Sequence, residues 1–370
     1  MHLAGKRTLL FMTLGLVAFI LYLWFFVGFD GLFLLLSSLN IYQYSLFLML
    51  AVGALIASVI FDTLIWHSLL GTLSVRVKFR KLLLYNWIGN FVELIIPSAT
   101  IGGEVVRIAL SQKDIKNDTG IAAATVLGSR IISTFVYLGG LIAGFLILLF
   151  TRKLPLYLIT PIILVLSGTA VVIVCIFLIA FKETATDKIV TIIMWVVKRF
   201  IKDSAKQQKF RTKICQGLFS FSGVFKTFKK NPRYLIKPAV YAVISWLFSL
   251  TVYLMIFYAL DFTAISLINL ATVYCISTTV ETLTAGVPIG AVEVTLINLF
   301  VLYGVPIAVA GAATTLVRLL TFWCQIIIGY PLIEWMGTKS LLKTNIKNTS
   351  PKVESTVKKT DDKLIDQNYG

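Results

Sequence analysis

The chain has 370 residues, of which 58% are hydrophobic and 14% charged, with a formal net charge of +17 and a mean hydropathy of +0.89. These values lie far above the norm for soluble globular domains. The apolar residues form runs long enough to cross about 30 Å of hydrocarbon. An integral membrane protein is the only class that fits this composition.

Residues that commonly bind metals or act as nucleophiles are scarce. His2 and His67 are the only histidines, and the cysteines are far apart in the chain and form no CxxC motif. The sequence therefore offers few residues from which a metal site, a Cys–His nucleophile or a Ser–His–Asp triad could be built. We expect no catalytic residue, no metal ion and no cofactor.

Six apolar runs predict helices that cross the membrane. They lie near residues 8–27, 45–70, 120–150, 155–181, 238–260 and 306–335. The first run follows Lys6 and Arg7, as in a signal peptide, but no small-residue cleavage site comes after it. We therefore interpret it as a retained transmembrane helix.

Two further apolar stretches, 82–112 and 264–304, are interrupted in the middle by proline and glycine. Such a break leaves backbone groups unsatisfied, which is tolerated in a membrane only where protein or water surrounds them. Both stretches are predicted to be re-entrant hairpins; two short crossing helices are the alternative. The predicted break residues are Pro97, Gly102, Gly103, Pro288 and Gly290.

The basic residues are distributed unevenly between the predicted connections. The connections at 28–44, 261–263 and 301–305 contain no lysine or arginine, whereas segment 182–237 is strongly basic; only Arg152 and Lys153 break the pattern. This asymmetry predicts a multi-pass protein of the cell (plasma) membrane with both termini in the cytoplasm. The positive charge then reflects orientation and attraction to anionic inner-leaflet lipid, and we expect no nucleic-acid partner.

The predicted domain organisation is one transmembrane domain, 1–337, followed by a polar tail, 338–370, whose composition is typical of disorder. Within the domain, segment 186–230 of the basic loop alternates apolar and basic residues. This pattern predicts an amphipathic helix lying on the inner leaflet.

An internal repeat appears when the chain is shifted against itself by 188 positions. Glu93 then falls on Glu281, Gly102 on Gly290, and Arg130 on Arg318. The repeat units are about 45–150 and 233–335, each a helix, a broken hairpin and a helix. The charge asymmetry gives the two units opposite orientations. The predicted fold is thus an all-α polytopic membrane protein, with about six crossing helices and two re-entrant hairpins in an inverted repeat. In secondary transporters of this type the binding site lies at the repeat interface.

Charged residues inside the predicted membrane region are the candidate substrate-binding residues. They are Arg130, Arg318, Glu93, Glu281, Arg107, Glu104 and Glu293, with Asp62 as a further charge. Each needs a partner or water in the membrane. Two guanidiniums, those of Arg130 and Arg318, could converge on a phosphate through their planar forks. Alternatively, each arginine pairs with the glutamate of its own repeat as a structural strut.

Several short motifs resemble a known family. They are Asn90-Phe91, Pro97, Ile101-Gly102-Gly103-Glu104 and Arg107, and, in the second half, Leu302-Tyr303-Gly304-Val305-Pro306 and Arg318-Leu319-Leu320. The first set resembles the N-P-x-GG-[DE]-x-x-R signature of the lysylphosphatidylglycerol synthase transmembrane-region family. The resemblance covers roughly residues 8–335. The second hairpin departs from the pattern, because Ala291 and Val292 stand where the first has Gly103 and Glu104.

The resemblance implies a flippase-like membrane domain. In multiple-peptide-resistance proteins this domain is fused to a soluble domain that transfers lysine from charged tRNA to phosphatidylglycerol. Only a short polar tail follows Gly337 here, so we expect a transporter-like protein rather than a lysyltransferase. Other members of the family are thought to handle phospholipids or polyprenyl-phosphate sugars.

The expected function is binding and translocation of an anionic lipid or lipid-linked headgroup across the membrane. One alternative is a membrane-embedded lipid transferase, for which Glu93, Glu104 and Asp62 would be the candidate acids and bases. Another is a non-catalytic partner of a soluble synthase or glycosyltransferase, contacted through the basic loop. Self-association is left open.

Overall fold

The computed structural model describes residues 39–95, 101–115, 118–151, 204–283 and 290–335, together with residues 17, 21, 24, 37, 167 and 171. Throughout these residues the chain is helical and contains no strand, which confirms the all-α prediction. Two compact units divide between Ile326 and Ile327. The described part of the second unit is the end of one helix.

The described helices follow one another in a simple order. The first half contains α1 (Ile41–Thr72), α2 (Phe79–Ile95), α3 (Ile101–Ser111) and α4 (Thr119–Thr151). Between the halves lies α5 (Ser204–Lys230), followed by a 3₁₀ turn (Pro232–Leu235). The second half contains α6 (Ile236–Ala259), α7 (Leu267–Leu283), α8 (Ala291–Leu302) and α9 (Ile307–Arg318), then a π-helical turn (Leu319–Trp323) and α10 (Cys324–Trp335).

Four stretches of the described chain are long and apolar enough to cross a membrane. They are Ile41–Thr72, Thr119–Ala143, Pro232–Ala259 and Ile307–Ile333. Four of the predicted crossing helices are thereby confirmed, and the protein is a multi-pass membrane protein. The predicted crossings 8–27 and 155–181 fall almost entirely outside the described residues, as does the tail 338–370. The total of six crossings therefore stays a prediction.

Both predicted hairpins form as pairs of short helices. Helices α3 and α8, the second arms, have 11 and 12 residues. At 1.5 Å per residue these second arms are about 17 Å long, about half of the hydrocarbon thickness, whereas the first arms, α2 and α7, have 17 residues each and are about 25 Å long. The length of the second arms favours the re-entrant interpretation over two crossing helices. The breaks at 96–100 and 284–289, with Pro97 and Pro288, lie outside the described residues.

The helix boundaries follow the repeat offset seen in the sequence. Leu267 and Leu283, the ends of α7, each lie 188 positions after Phe79 and Ile95, the ends of α2. Helix α9 likewise begins 188 positions after the start of α4. The two halves therefore share one order of elements, and α2 and α7 share one length. Their inversion relative to a membrane stays a prediction.

The core joins the two halves. Helix α1 packs against α6, where Phe61 stacks on Phe248 with ring centroids 5.5 Å apart. A Cβ added to Gly140 of α4 would lie 2.8 Å from Trp246 and 3.1 Å from the Cys275 sulfur, so α4 approaches both α6 and α7 closely there. Small residues that permit such approach are typical of helix contacts in membranes, where packing rather than the hydrophobic effect drives association.

Helix α5 differs from its prediction in what its apolar face contacts. The described part of the basic loop, 204–230, is helical as predicted. Its aromatic residues Phe221, Phe225 and Phe228, spaced at helical intervals, pack on a buried cluster with residues of α1 and α4 instead of facing the inner leaflet. Gly120 makes this contact possible, because a Cβ there would collide with the Gly217 carbonyl oxygen. The sequence pattern predicted an amphipathic helix, but it could not show which surface the apolar face of that helix packs against.

Candidate functional site

A small polar cleft, with about 20 Å³ of water-accessible space, opens in the first half of the chain. It is lined by Asp62 and Trp66 of α1, Asn86 of α2, Glu104 and Arg107 of α3, and Ser129, Arg130 and Ser133 of α4. Two crossing helices and both arms of the first hairpin thus contribute to it. Three predicted site residues, Glu104, Arg107 and Arg130, line the cleft together.

Arg107 is the buried centre of the ion-pair network beside this cleft. Its Nη1 donates to Glu104 Oε1 at 2.8 Å, and its Nη2 donates to Asn90 Oδ1 and lies 3.7 Å from Glu93 Oε2. These contacts join α2 to α3. Arg107 therefore holds the two arms of the hairpin together with most of its donors.

Two glycines make room for this arrangement. A Cβ on Gly89 would lie 2.5 Å from Arg107 Nε, and one on Gly103 would lie 2.6 Å from the Gly89 carbonyl oxygen. Gly102 and Gly103 are in the first turn of α3, so the described role of Gly103 is close packing of the hairpin arms. The sequence pattern did not single out Gly89, because its role depends on where Arg107 folds back.

Arg130 is the accessible arginine of the cluster. Its side chain is 43% exposed, and its Nη2 donates to Glu93 Oε1 at 3.1 Å. Its Nε lies 3.8 Å from Glu104 Oε1. A ligand in the cleft could therefore reach a guanidinium that is oriented by carboxylates without being enclosed by them.

Asp62 is a cleft residue to which the sequence assigned no binding role. Its Oδ2 accepts a hydrogen bond from Asn86 Nδ2 at 3.1 Å, and the same nitrogen lies 3.1 Å from Thr63 Oγ1. His67, one and a half turns further along α1, instead contacts the Phe79 ring edge-on. The sequence did contain a signal for a role of Asp62 in the site, because this acidic residue lies within an apolar helix.

The second hairpin carries a separate and more enclosed cluster. Arg318 is only 2% exposed; its Nε donates to Glu293 Oε1 at 2.7 Å and its Nη1 to Glu281 Oε1 at 2.9 Å. Its guanidinium carbon lies 4.6 Å from the centroid of the Phe322 ring. Glu293 also accepts the Gly290 amide hydrogen at 2.6 Å, which caps the start of α8 where Gly290 has a φ of 95°.

The two clusters are related but not equivalent. In both, a glutamate accepts a hydrogen bond from the arginine 37 positions later, Glu93 from Arg130 and Glu281 from Arg318. No arginine corresponds to Arg107, because Thr295 lies at that offset in α8. Each arginine pairs with the glutamates of its own repeat. Arg318 is not among the residues that line the described cleft, so a phosphate site shared by both arginines stays a prediction.

Comparison with known proteins agrees with the family resemblance. The family described as "Lysylphosphatidylglycerol synthase TM region" matches residues 12–329. A UPF0104 membrane protein of Methanothermobacter thermautotrophicus is 28% identical over 285 residues, covering 75% of this chain and 81% of the relative. The UPF0104 membrane protein MJ1595 of Methanocaldococcus jannaschii is 27% identical, covering 72% of this chain and 77% of the relative. PH1989 of Pyrococcus horikoshii, another UPF0104 membrane protein, is 24% identical, covering 78% of this chain and 86% of the relative. The chain therefore belongs to the lysylphosphatidylglycerol synthase transmembrane-region family and is a multi-pass membrane protein of that family.

Proposed function

We propose that this protein binds the phosphate of an anionic lipid or lipid-linked headgroup in the cleft at Arg130 and moves it across the cell membrane. The observation that carries the proposal is the half-exposed guanidinium of Arg130, which faces a polar cleft beside a broken-helix hairpin. An arginine within a membrane domain costs about 3 kcal/mol on insertion scales, so one that keeps an open face suggests a ligand. Its planar fork matches two phosphate oxygens.

The donors around Arg130 support an anionic ligand. Arg107 also lines the cleft, and its buried Nε has no hydrogen-bond acceptor within the described part of the chain. A buried donor without a partner costs about 1–3 kcal/mol. The Nε packs against Gly89, so Arg107 would act on an anion in the cleft through its positive charge.

The architecture supports translocation rather than binding alone. Broken helices in corresponding positions of two repeats are a feature of secondary transporters, and the uneven distribution of lysine and arginine supports opposite orientations of the repeats with both termini in the cytoplasm. In this proposal the headgroup binds at the first hairpin while the lipid chains remain in the bilayer. Rearrangement of the hairpins then exposes the cleft alternately to the two sides.

The site geometry favours transport over lipid transfer catalysis. Glu93 and Glu104, two of the candidate acids, each form an ion pair with an arginine. No histidine or cysteine lines the cleft. Asp62, the third candidate, also lines the cleft and accepts a hydrogen bond from the Asn86 amide, but the lining residues offer it no histidine or cysteine partner for nucleophilic catalysis.

The exposed basic residues around α5 support an accompanying contact with anionic inner-leaflet lipid. Lys229, Lys230, Arg233 and Lys237 are exposed near its end, and each basic residue near such a surface contributes about 1 kcal/mol. A soluble synthase or glycosyltransferase partner and self-association remain open within this proposal.

Binding of a soluble headgroup to the purified protein tests the site. We expect glycerophosphoglycerol, a phosphodiester without lipid chains, to bind the wild type, as followed by phosphorus NMR. Arg130→Gln should weaken this binding about tenfold or more, because the charged fork is lost. The matched control is Arg76→Gln, which removes an exposed arginine from the loop before α2. Equal losses in the two variants, or unchanged binding in Arg130→Gln, would overturn the proposal.

A further inference from the structure

The formal charge of the described cleft is unfavourable for an anion entering alone. The carboxylates of Asp62 and Glu104 and the guanidiniums of Arg107 and Arg130 line the cleft. The carboxylate of Glu93, which bonds Arg130 without lining the cleft, adds a third negative charge to this cluster. The cluster therefore carries one excess negative charge. Adding a phosphodiester would raise the excess to two in a region of low dielectric, where like charges repel strongly.

The excess charge can be assigned to Asp62. Glu104 is paired with Arg107 at 2.8 Å and Glu93 with Arg130 at 3.1 Å. Asp62, in contrast, is bonded to the neutral amide of Asn86, and no ion pair of Asp62 occurs among the described residues. It is close enough to act electrostatically on Arg130. An ionised Asp62 therefore competes with a phosphate for the same guanidinium.

The surroundings of Asp62 provide oxygen ligands for a cation. Ser129 and Ser133 line the same cleft, and the Ser129 hydroxyl donates its hydrogen to the Val126 carbonyl at 2.7 Å. The lone pairs of that hydroxyl are left to accept. Carboxylate and hydroxyl oxygens are the ligands that hard cations prefer, and they also accept hydrogen bonds from an ammonium group.

We infer that the headgroup enters the cleft together with a positive charge held at Asp62. This inference rests on the proposed function and deepens it: the site binds an anion and a cation jointly, the phosphate at Arg130 and the cation at Asp62. The cation is either an inorganic alkali ion or an ammonium group on the headgroup itself. In both cases each charge strengthens binding of the other, since such coupling is reciprocal.

Two matched phosphodiesters distinguish the sources of the cation. Glycerophosphoglycerol has no ammonium group, whereas glycerophosphoethanolamine has one. The purified full-length protein is titrated with each probe in sodium chloride and in tetraethylammonium chloride, whose cation has no N–H donor and is bulky. If an alkali ion occupies the site, sodium tightens glycerophosphoglycerol binding about tenfold. If the headgroup ammonium occupies it, glycerophosphoethanolamine binds about tenfold more tightly than glycerophosphoglycerol in either salt.

Asp62→Asn tests the assignment to this residue. The variant should bind glycerophosphoglycerol at least as tightly as the wild type, with no dependence on sodium and no preference for the ammonium probe. Asp114→Asn, which removes a carboxylate that does not line the cleft, should bind both probes with the affinity and the sodium dependence of the wild type. A second readout, thermal stabilisation by sodium without any phosphodiester, reports an alkali-ion site in the wild type even if the variant does not fold.

The outcomes separate this inference from the proposed function. Equal wild-type binding of the two probes, with no change between sodium chloride and tetraethylammonium chloride, overturns the joint site while leaving the phosphate site intact. Retention of cation dependence in Asp62→Asn also overturns it. Failure of both probes to bind under every condition would instead overturn the proposed function.

Discussion

Arg130 and Arg318 occupy corresponding positions of the two repeats but have different environments. Both donate to a glutamate 37 positions earlier, yet the side chain of Arg130 is 43% exposed and that of Arg318 only 2%. Arg318 binds two carboxylates and the face of Phe322, whereas Arg130 faces the cleft. The two arginines at corresponding repeat positions therefore have different roles. Arg318 is a structural anchor, and Arg130 is a candidate ligand-binding residue.

Substituting lysine for each arginine should give different results. Lysine retains the charge but lacks the fork that can bind two oxygens at once. We expect Arg130→Lys to fold normally and to weaken headgroup binding about tenfold. Arg318→Lys should lower the free energy of unfolding by about 3 kcal/mol, because one ammonium group cannot satisfy both Glu281 and Glu293. Thermal unfolding in detergent and headgroup titration measure the two effects. If the wild type and both variants were equally stable and bound the headgroup with equal affinity, the two environments would have no effect on stability or binding.

At the scale of elements, the first hairpin is built around the close approach of α2 and α3. A Cβ on Gly103 would lie 2.6 Å from a backbone oxygen of α2, which cannot move aside as a side chain can. We expect Gly103→Ala to lower the free energy of unfolding by about 1–3 kcal/mol. The control is Gly53→Ala in α1, where a Cβ would meet nothing within 4 Å. Thermal unfolding that is equally affected in both variants would argue against the close packing.

At the end of the first hairpin away from the helix break, an ion pair joins α2 to the loop before α4. Asp114 accepts hydrogen bonds from Lys81 Nζ at 2.6 Å and from the Tyr85 hydroxyl at 2.7 Å. Partial burial raises the pKa of Asp114, but the hydrogen bonds and the charge of Lys81 outweigh it, so the pKa is lowered overall. A lowered pKa means that the stabilisation is present above the ordinary pKa and is lost as the pH falls through the folded-state value.

Asp114→Asn should therefore destabilise the protein at neutral pH and cease to do so in acid. The loss should be about 1 kcal/mol or less, because Lys81 is half-exposed and water screens the pair. Thermal unfolding of both proteins over a range of pH checks this. A difference that grows as the pH falls would contradict the assigned direction.

Features that have a local signal in the sequence could be predicted, whereas features that depend on packing between helices could not. The hairpins were predicted because proline and glycine interrupt otherwise apolar runs, and the glutamate–arginine pairs because they recur at one offset. Glu293 is one position away from the residue aligned with Glu104, since α8 begins at Ala291 rather than at the position aligned with Ile101. The roles of Gly89 and Asp62 were not predicted, because both depend on which helix lies opposite.

At the scale of the whole molecule, the proposed orientation places the end of α6 outside and α5 inside the cell. Thr263 is exposed in the turn after α6, so a cysteine at this position should react with an impermeant reagent in intact cells. Cysteines at Lys206 and Lys347 should react only with a permeant one. Labelling of position 206 from outside would overturn the orientation and, with it, the inverted relation of the repeats.

Transport by the purified protein in liposomes tests the central claim most directly. Vesicles carry a fluorescent anionic phospholipid, and a membrane-impermeant quencher reports the fraction of headgroups that reaches the outer leaflet. We predict that the protein increases this fraction over protein-free vesicles, that Arg130→Gln abolishes the increase, and that Arg76→Gln preserves it. A fraction equal to that of protein-free vesicles, or full activity in Arg130→Gln, would contradict translocation through the Arg130 cleft.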